Sequence, residues 1–269
     1  MTERRPVGII TVASGKGGSG KTTSALAIAG ALKKLGVPPD AVIDLDYGAS
    51  LTRAYGYTPS QGFSEALLDG RVAFEDALHE TKEGISLIPA SAALASVEKV
   101  RMHAWRDRLR ELGREKLLVI DTSDDILSAP VAAAILAADV LAIPVPVTQK
   151  AYKRTYPEIG GLLQGQKHNP EQVWFGTMVD QRPALTRHIL REIAEDGVEL
   201  SVLVPRGIAA DEADYAAGSV VMASPKSKVA TAYVELATMI YARLRRLTGA
   251  APGVEVGRPT RALPVAVNG

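Results

Sequence analysis

The sequence of 269 residues contains no cysteine. This absence excludes disulfide bonds, thiolate metal sites and cysteine nucleophiles. Aromatic residues make up only 5% of the chain, although 46% of the residues are hydrophobic. Aliphatic side chains therefore carry most of the apolar fraction, which favours helices packed on a sheet. The formal net charge is only +1, so any nucleic-acid binding must come from a local basic patch.

Long hydrophobic runs are missing as well. The longest apolar stretch, 126–138, ends at Asp139 and is far shorter than the roughly 20 residues that a transmembrane helix needs. The N-terminal segment lacks the apolar core of about 7–15 residues that a signal peptide requires. These absences predict a cytoplasmic protein.

Short apolar runs alternate with helical patterns along the chain. Runs rich in β-branched residues predict strands over 7–13, 41–45, 85–88, 117–120, 140–145, 173–179 and 200–204. Apolar residues at helical spacing predict helices over 21–35, 97–112, 130–138, 150–163, 185–195 and 225–247. This alternation indicates an α/β fold, in which helices flank a mostly parallel, twisted sheet on both faces.

The chain shows no internal repeat and no linker up to residue 248, so we predict a single domain over 1–248. Residues 249–269 scatter proline and glycine among small residues. Such a composition is typical of a poorly ordered tail, and we expect this C-terminal segment to be disordered.

A glycine-rich segment, GKGGSGKT at 15–22, fits the P-loop pattern G-x-x-x-x-G-K-[ST] between a predicted strand and a predicted helix. The alternative is a chance glycine-rich turn, which this context disfavours. In a P-loop NTPase the backbone N–H groups of the loop point at phosphate oxygens. Lys21 should reach the β- and γ-phosphates of ATP, and the Thr22 hydroxyl should ligate Mg²⁺. The predicted nucleotide-binding residues of the loop are Gly17, Gly18, Ser19, Gly20, Lys21, Thr22 and Thr23.

Carboxylates lie where two predicted strands end. Asp44 and Asp46 close one strand on the same side of the sheet edge, and Asp121 follows an apolar run, as in a Walker B strand. Ligands bind at this edge of open α/β sheets, and a carboxylate there can hold Mg²⁺ directly or through water. Asp44 could also be a strand-end carboxylate or a helix cap. Asp124 and Asp125 could add metal affinity, but capping of the next helix is the favoured interpretation.

The segment KGGSGKTT at 16–23 resembles the deviant phosphate loop of the ParA/MinD superfamily of partitioning and positioning ATPases. The likeness covers about residues 7–247 and is closest to the short ParA form. It implies that Lys16 reaches across a two-fold axis to the partner's nucleotide, so that ATP is sandwiched in a homodimer. A cation delivered in this way can stabilise charge on the transferring phosphoryl group. The alternative for Lys16 is a solvated loop lysine.

The resemblance also implies roles for the acidic positions, with Asp46 orienting the attacking water and Asp44 near the metal or the phosphate loop. The implied catalytic residues are Lys16, Lys21 and Asp46, and the implied metal site comprises Thr22, Asp44 and Asp121. The sequence departs from the family pattern where Tyr47-Gly48 replaces Pro-Gln and where 121–125 differs from D-x-P-P. Both departures bear on the rate of hydrolysis.

Two later segments, 178–180 and 204–206, resemble those that frame the adenine in this family. The implied base contacts are Met178, Asp180 and Pro205. Their alternative role is ordinary loop structure at strand ends.

The resemblance further implies partners. Short ParA-like proteins coat nonspecific double-stranded DNA, and are then nucleoid-associated, until a cargo-bound ParB-like adaptor stimulates their slow hydrolysis. Residues 1–144 carry 16 basic and 18 acidic side chains, and the rest of the chain carries 15 and 12. Candidate DNA contacts are Lys150, Lys153, Arg154, Arg182, Arg187, Arg191, Arg206, Lys226, Lys228, Arg243, Arg245 and Arg246. The arginines at 243–246 end a predicted helix, where cations complement the helix dipole in any case.

Membrane binding of the MinD kind would need a C-terminal amphipathic helix, which Pro252, Pro259 and Pro264 interrupt. We therefore predict no membrane partner. The function that the resemblance implies is an ATP-dependent, dimerising ATPase that binds nonspecific DNA and segregates or positions a cargo. The alternative is a nucleotide-gated scaffold with negligible hydrolysis and no DNA binding.

Overall fold

A computed structural model describes residues 7–59, 63–147, 151–180, 183–210 and 218–249, with the backbone alone at 151, 152, 154 and 183–185. The strands in these ranges are β1 (Gly8–Val12), β2 (Ala41–Leu45), β3 (His79–Glu80), β4 (Ser86–Ile88), β5 (Leu117–Thr122), β6 (Val140–Pro146), β7 (Glu171–Val179) and β8 (Leu203–Pro205). They form one sheet in the order β3-β4-β2-β5-β1-β6-β7-β8. Apart from Gly249, the tail predicted over 249–269 lies outside the described residues.

Parallel pairing dominates this sheet. Strand β3 pairs antiparallel with β4 at one edge, and the remaining neighbours pair in parallel. Because β5 lies between β2 and β1, the carboxyl ends of these three strands meet at one edge of the sheet. The crossover order thus creates the crevice at which open α/β sheets bind ligands.

Helices cover both faces of the sheet. They are α1 (Lys21–Lys34), α2 (Ser50–Ala54), α3 (Phe63–Leu68), α4 (Met102–Gly113), α5 (Ala129–Ala137), α6 (Ala151–Leu163), α7 (Pro183–Glu195), α8 (Val220–Ala223) and α9 (Lys228–Thr248). Alternate strand residues face opposite layers. Ile10 and Val12 pack under α1, α2, α8 and α9, whereas Ile9 packs with α3, α4 and α5. The α/β class and the mostly parallel sheet with helices on both faces are confirmed.

The helix predicted from residue 97 begins later, at Met102. A short 3-10 turn, Lys99–Arg101, precedes it, and the Val100 side chain is 78% exposed. Val97 and Glu98 have an extended backbone, with ψ 120° and 145°, so the helix does not reach back to residue 97. Strand β3 and the short helices α2, α3 and α8 were not predicted, because such short elements carry no periodic signal.

Two later boundaries also differ from the prediction. The helix predicted from residue 225 begins at Lys228, because the Ser227 hydroxyl accepts a hydrogen bond from the Ala230 amide and caps it there. The strand predicted over 200–204 is ladder-paired only at Leu203–Pro205, where the register against β7 is irregular. Among the described residues, none of the helices has both the length and the apolar composition needed to cross a bilayer.

Close packing of α1 on the segment before α8 generates a stability prediction. A Cβ added at Gly30 would clash with Ser219 Oγ and would lie 3.1 Å from Ser219 Cβ and 3.4 Å from Met222 Cγ. We expect Gly30→Ala to lower the free energy of unfolding by about 1–3 kcal/mol, measured by urea denaturation. The matched control is Gly160→Ala in α6, where a Cβ meets nothing within 4 Å. Better helix propensity should there raise stability by about 0.5–1 kcal/mol, and equal effects of the two changes would contradict the packing argument.

Candidate functional site

The phosphate loop, residues 14–20, joins β1 to α1 through two glycines in the left-handed region. Gly18 has φ 68° and Gly20 has φ 86°, a conformation that a Cβ disfavours. Gly20 is the N-cap residue of α1. Thr177 at the end of β7 donates a hydrogen bond to the carbonyl oxygen of Ser19 at 2.9 Å and anchors the loop. The first N–H groups of a helix have no intrahelical partner, so the loop and α1 together form an anion-binding element.

Lys21, the first residue of α1, is a buried cation with 8% of its surface exposed. Its Nζ donates a hydrogen bond to the carbonyl oxygen of Lys16 at 3.2 Å. Burial lowers the pKa of Lys21, and the negative charges of Asp121, Asp124 and Asp46 oppose that shift. A buried ammonium beside a loop of backbone donors suits a polyanion such as a triphosphate.

Thr22 and Asp121 form the pair that fits a divalent cation. The Thr22 hydroxyl donates a hydrogen bond to Asp121 Oδ2 at 2.8 Å. Burial raises the pKa of Asp121 well above its usual range, the negative charge of Asp44 adds to this, and the hydrogen bond from Thr22 acts against it. Asp121 Oδ1 is buried and has no hydrogen-bond partner in the part of the chain that the structure describes. A carboxylate oxygen next to a hydroxyl is a donor set that suits Mg²⁺.

Two further buried hydroxyls belong to the same elements. Ser19 Oγ in the phosphate loop and Ser123 Oγ just after β5 also lack hydrogen-bond partners within the described ranges. Buried polar atoms without partners are uncommon in native proteins, and phosphate oxygens, a cation or its waters would supply them. The described residues contain no group of three His, Asp or Glu that could hold a metal alone. The residues present thus fit a cation that is shared with nucleotide phosphates.

The carboxylate of Asp44 is fully buried and holds the loop that follows β2. Its Oδ1 accepts a hydrogen bond from the Asp46 amide at 2.9 Å, and its Oδ2 accepts from the Thr52 amide at 2.8 Å and the Thr52 hydroxyl at 2.7 Å. Burial raises the pKa of Asp44 to about 6, and these hydrogen bonds oppose the rise. Asp44 pairs in register with Asp121. It therefore lies next to the candidate metal pair, but its hydrogen bonds favour shaping the loop over ligation.

Asp46 sits in a tight turn of its own. Its Oδ1 accepts a hydrogen bond from the Gly48 amide at 2.8 Å, and its carbonyl oxygen accepts one from the Ala49 amide at 2.7 Å. A Cβ at position 48 would lie 3.1 Å from both carboxylate oxygens of Asp46. The exchange of Pro-Gln for Tyr47-Gly48 thus permits this close turn, and the Tyr47 side chain remains about half exposed.

The prediction that Asp124 and Asp125 cap the next helix is wrong. Ser128 is the N-cap residue of α5, because Pro130 in the first turn sets where this helix starts. Asp125 accepts a hydrogen bond from a backbone amide in the turn before the helix at 3.2 Å. Asp124 lies against the phosphate loop, where a Cβ at Gly17 would be 3.0 Å from Asp124 Oδ2.

A cleft of about 160 Å³ opens beside the start of α1. Thr23 in the first turn of α1 lines it together with Met178 and Pro205. Met178 has φ 53°, which is rare for a residue other than glycine, and its side chain is 44% exposed. Asp180 lines an adjoining cleft of about 580 Å³, which also contacts Pro205. The structure brings the predicted base contacts together next to the loop, and their role in binding the base stays a prediction.

Comparison with known proteins agrees with this geometry. A family model described as an AAA domain matches residues 7–155, which include the phosphate loop and both acidic segments. The chromosome-partitioning ATPase Soj of Thermus thermophilus is 28% identical over 256 residues, which are 90% of this chain and 98% of that protein. The chain belongs to the ParA/MinD superfamily of P-loop ATPases. The predicted resemblance is confirmed.

Other relatives of this ParA/MinD chain match it over different shares of their own length. The chromosome partitioning protein ParA of Caulobacter vibrioides is 27% identical over 263 residues, covering 89% of this chain and 96% of that protein. An uncharacterized ATP-binding protein of Methanocaldococcus jannaschii is 30% identical over 134 residues, and the match spans only half of its length. Among solved structures, cobyrinic acid a,c-diamide synthase of Mycobacterium smegmatis, with a bound ATP analogue and magnesium, superposes with a TM-score of 0.70 at 26% identity. That match covers 90% of this chain and 96% of the other.

Lys16, the predicted partner-facing lysine of this ParA/MinD chain, is half-buried at the front of the loop. Its backbone carbonyl receives the Lys21 ammonium. Its own ammonium makes no hydrogen bond or ion pair with any residue in the described ranges. The side chain is thus available for a phosphate, and its predicted role toward a partner's nucleotide stays a prediction.

The sequence analysis did not predict several hydroxyls that hold this ParA/MinD site together. Thr52 binds the Asp44 carboxylate, and Ser64 contacts the Asp44 carbonyl oxygen at 2.7 Å. Thr155 lies 3.2 Å from both the Ser14 hydroxyl and the Gly15 amide. Each is a single hydroxyl that belongs to none of the motifs, so no spacing or composition marks it.

Backbone conformation at Gly20 generates a binding prediction. We expect Gly20→Ala to raise the dissociation constant for ATP by about tenfold, because the left-handed N-cap becomes strained by about 1–2 kcal/mol. Titration with a fluorescent ATP analogue measures this. Gly165→Ala is the matched control, since Gly165 has φ 76° after α6 with no atom within 4 Å of its Cβ position. That change should cost similar stability and leave affinity unchanged. Equal affinities for the two variants would contradict a role of Gly20 in the phosphate cradle.

Proposed function

We propose that this chain is a Mg²⁺-dependent ATPase that forms a homodimer with ATP, binds double-stranded DNA without sequence preference, and segregates or positions a cargo. The observation that carries the proposal is the grouping of buried Lys21, the Thr22–Asp121 pair and Asp46 at one edge of the sheet. Two relatives matched over nearly their whole length are a chromosome-partitioning ATPase and a chromosome partitioning protein. Their names support partitioning as the task, and the cargo that we propose is a plasmid, a chromosome region or a protein assembly.

The hydrolytic chemistry follows from the charges around the loop. Thr22 and Asp121 would hold Mg²⁺, which supplies charge neutralisation on the phosphate oxygens when it is bound. Lys21 stabilises the negative charge that spreads over the transferring phosphoryl group. Asp46 orients the water whose oxygen bonds to the γ-phosphorus as the bond to the ADP oxygen breaks. Asp44 supports this arrangement through the loop rather than as a ligand.

Slow hydrolysis without a partner fits the turn at Asp46. The Gly48 amide bonds to Asp46 Oδ1 and so fixes the direction of the carboxylate. The lone pairs that remain on Oδ1 and Oδ2 can hold a water only where this turn places them. A ParB-like adaptor that carries the cargo would accelerate hydrolysis by favouring the rearranged turn. The protein would then be cytoplasmic and nucleoid-associated while ATP is bound.

Dimerisation would complete the site from outside the subunit. The Lys16 ammonium has no partner among the described residues, although the carbonyl oxygen of the same residue is engaged by Lys21. An ammonium from the opposing subunit at the γ-phosphate would add positive charge where the transition state needs it. The dimer would therefore form only with ATP bound, and hydrolysis would require the dimer.

DNA binding would rest on basic side chains of the sheet half that contains β6, β7 and β8. Arg187 and Arg191 on α7, Arg206 after β8, and Lys226 and Lys228 at the start of α9 are exposed. Phosphate contacts by such residues carry no sequence information and weaken with salt.

Not every candidate DNA contact is equally suited. Arg243 and Arg246 lie 3.4 and 3.2 Å from Glu171, and Arg245 lies 5.8 Å from the Tyr241 ring, so these arginines already serve the fold. Lys150, Arg182 and the side chain of Arg154 lie outside the described residues.

The alternative remains a nucleotide-gated scaffold with negligible hydrolysis. The observation that favours it is the turn that the Gly48 amide closes on Asp46 Oδ1. A permanent turn that aimed the remaining lone pairs of this carboxylate away from the γ-phosphate would leave hydrolysis negligible. Replacement of Asp46 by asparagine separates the two functions.

Replacing Asp46 tests the hydrolytic proposal. We expect Asp46→Asn to reduce ATP hydrolysis by about 10²-fold, because the amide cannot accept the proton of the oriented water, while ATP-dependent binding to random-sequence duplex DNA persists. Phosphate release and fluorescence anisotropy with ATP, ADP or no nucleotide measure both properties across a salt series. The control is Asp76→Asn, an exposed aspartate remote from the loop. Equal hydrolysis by wild type and Asp46→Asn would refute the role of Asp46. Failure of the wild type to bind DNA in every nucleotide state would refute the DNA partner.

Replacing Lys16 tests the dimer. We expect Lys16→Ala to bind ATP within about threefold of the wild-type affinity, yet to sediment as a monomer where the wild type forms an ATP-dependent dimer, because its charge acts on the opposing nucleotide. Analytical ultracentrifugation with ATP and with ADP makes the measurement. Lys82→Ala, an exposed lysine in the turn between β3 and β4, should dimerise normally. An ATP-bound dimer of Lys16→Ala would rule out the role in the partner's site.

A further inference from the structure

A single threonine outside every motif connects three elements at the candidate site. Thr52 lies in α2 and is fully buried. Its hydroxyl donates a hydrogen bond to Asp44 Oδ2 at 2.7 Å and accepts one from the Ala90 amide at 3.0 Å. A hydroxyl has one proton and two lone pairs, so both bonds can form at once. Thr52 therefore links the end of β2 to the chain just after β4.

The loop that carries Asp46 is closed at both ends on one carboxylate. Asp44 Oδ1 holds the amide of Asp46, and Asp44 Oδ2 holds the amide and hydroxyl of Thr52. Within the loop, the Asp46 carbonyl oxygen accepts the Ala49 amide. The backbone at Asp46 is thus fixed by the position of the Asp44 carboxylate, and Thr52 supplies two of the three hydrogen bonds that fix this carboxylate.

A second hydroxyl braces the same strand end. Ser64 Oγ lies 2.7 Å from the carbonyl oxygen of Asp44 and 2.8 Å from that of Pro89, and the Ser64 amide donates to the Pro89 carbonyl oxygen at 3.1 Å. Both hydroxyls therefore tie the chain around Asp44 to residues 89–90. The Thr52 bond differs because it acts on the carboxylate that holds the Asp46 amide.

We propose that Thr52 is a positioning residue for ATP hydrolysis, which fixes the Asp44 carboxylate and through it the backbone that aims Asp46 at the attacking water. The inference rests on the proposed role of Asp46. Among the described residues, Thr52 makes its side-chain hydrogen bonds to Asp44 and Ala90 and lines neither of the two clefts. Its hydroxyl therefore affects the chemical step rather than binding. Misplacing a reacting group by about 1 Å can cost about 10²-fold in rate, and losing a partner that orients a site residue costs about 10–100-fold.

The test uses three matched threonine variants of the full chain. Thr52→Val removes the hydroxyl at nearly constant shape, and Thr52→Ser restores it. Thr11→Val removes another fully buried hydroxyl, which donates to the Ala134 carbonyl oxygen at 2.9 Å on β1. Single-turnover hydrolysis and ATP affinity are measured for each variant, with thermal melting as the check on folding.

We expect Thr52→Val to lower the hydrolysis rate by about 10–100-fold with ATP affinity within about threefold of wild type. Thr52→Ser should recover most of the rate, and Thr11→Val should stay within about twofold of wild type. Combining Thr52→Val with Asp46→Asn should lower the rate no further than Asp46→Asn alone, because both changes act through one group.

Several results would overturn the inference. A wild-type rate for Thr52→Val would do so, as would a loss of ATP affinity as large as the loss of rate, a failure of Thr52→Ser to recover the rate, or additive effects in the double variant. The Asp46→Asn variant, measured in parallel, distinguishes a failure of the proposed role of Asp46 from a failure of the role of Thr52. If it hydrolyses ATP like the wild type, the proposed function of Asp46 fails. If it is inactive while Thr52→Val is normal, only the role of Thr52 fails.

Discussion

Three ionisable side chains, Lys21, Asp44 and Asp121, are buried together at the carboxyl edge of the sheet, and a buried charge is tolerated only where other groups compensate it. Burial shifts the pKa of all three toward the neutral form. Hydrogen bonds from Thr22 and Thr52 counter that shift on the two carboxylates. The buried Lys21 ammonium and Asp121 Oδ1, which has no hydrogen-bond partner in the described residues, are still not fully compensated. A polyanion bound together with a cation would compensate both groups. Much of the local structure serves to hold these charges.

The sheet order is what brings the charges together. The phosphate loop follows β1, Asp44 lies near the end of β2, and Asp121 lies near the end of β5, which pairs with both strands. Parallel pairing places all three ends on one side. The two aspartates at this strand end then have different surroundings. Asp44 accepts three hydrogen bonds, from the Asp46 amide and from Thr52, whereas Asp46 is only partly buried in the turn after β2. Side-chain alternation alone would not distinguish them.

Predictions from long sequence patterns in a clear structural context agreed with the structure, whereas predictions from short patterns often did not. The strand–loop–helix pattern at 15–22 predicted the P-loop fold and the ParA/MinD membership, and both are confirmed. The predicted helix start at residue 97 was wrong because the backbone of Val97 and Glu98 is extended. The capping interpretation of Asp124 failed because Ser128 and Pro130 set the start of α5, which left Asp124 against the phosphate loop.

The sequence by itself determined the fold class, the phosphate loop and the acidic residues at the strand ends, because these depend on local spacing: alternation along strands, helical periodicity and the glycines that a tight loop needs. Only the tertiary structure shows that the Asp44 carboxylate is occupied by hydrogen bonds from the Asp46 amide and Thr52. It alone also places the hydroxyls of Thr52, Ser64 and Thr155 around the site. Thr52 is 38 residues from Ala90 along the chain, and such a contact exists only once the strands have paired. No residue pattern encodes it, because a lone hydroxyl acquires its role from the partners that the fold brings to it.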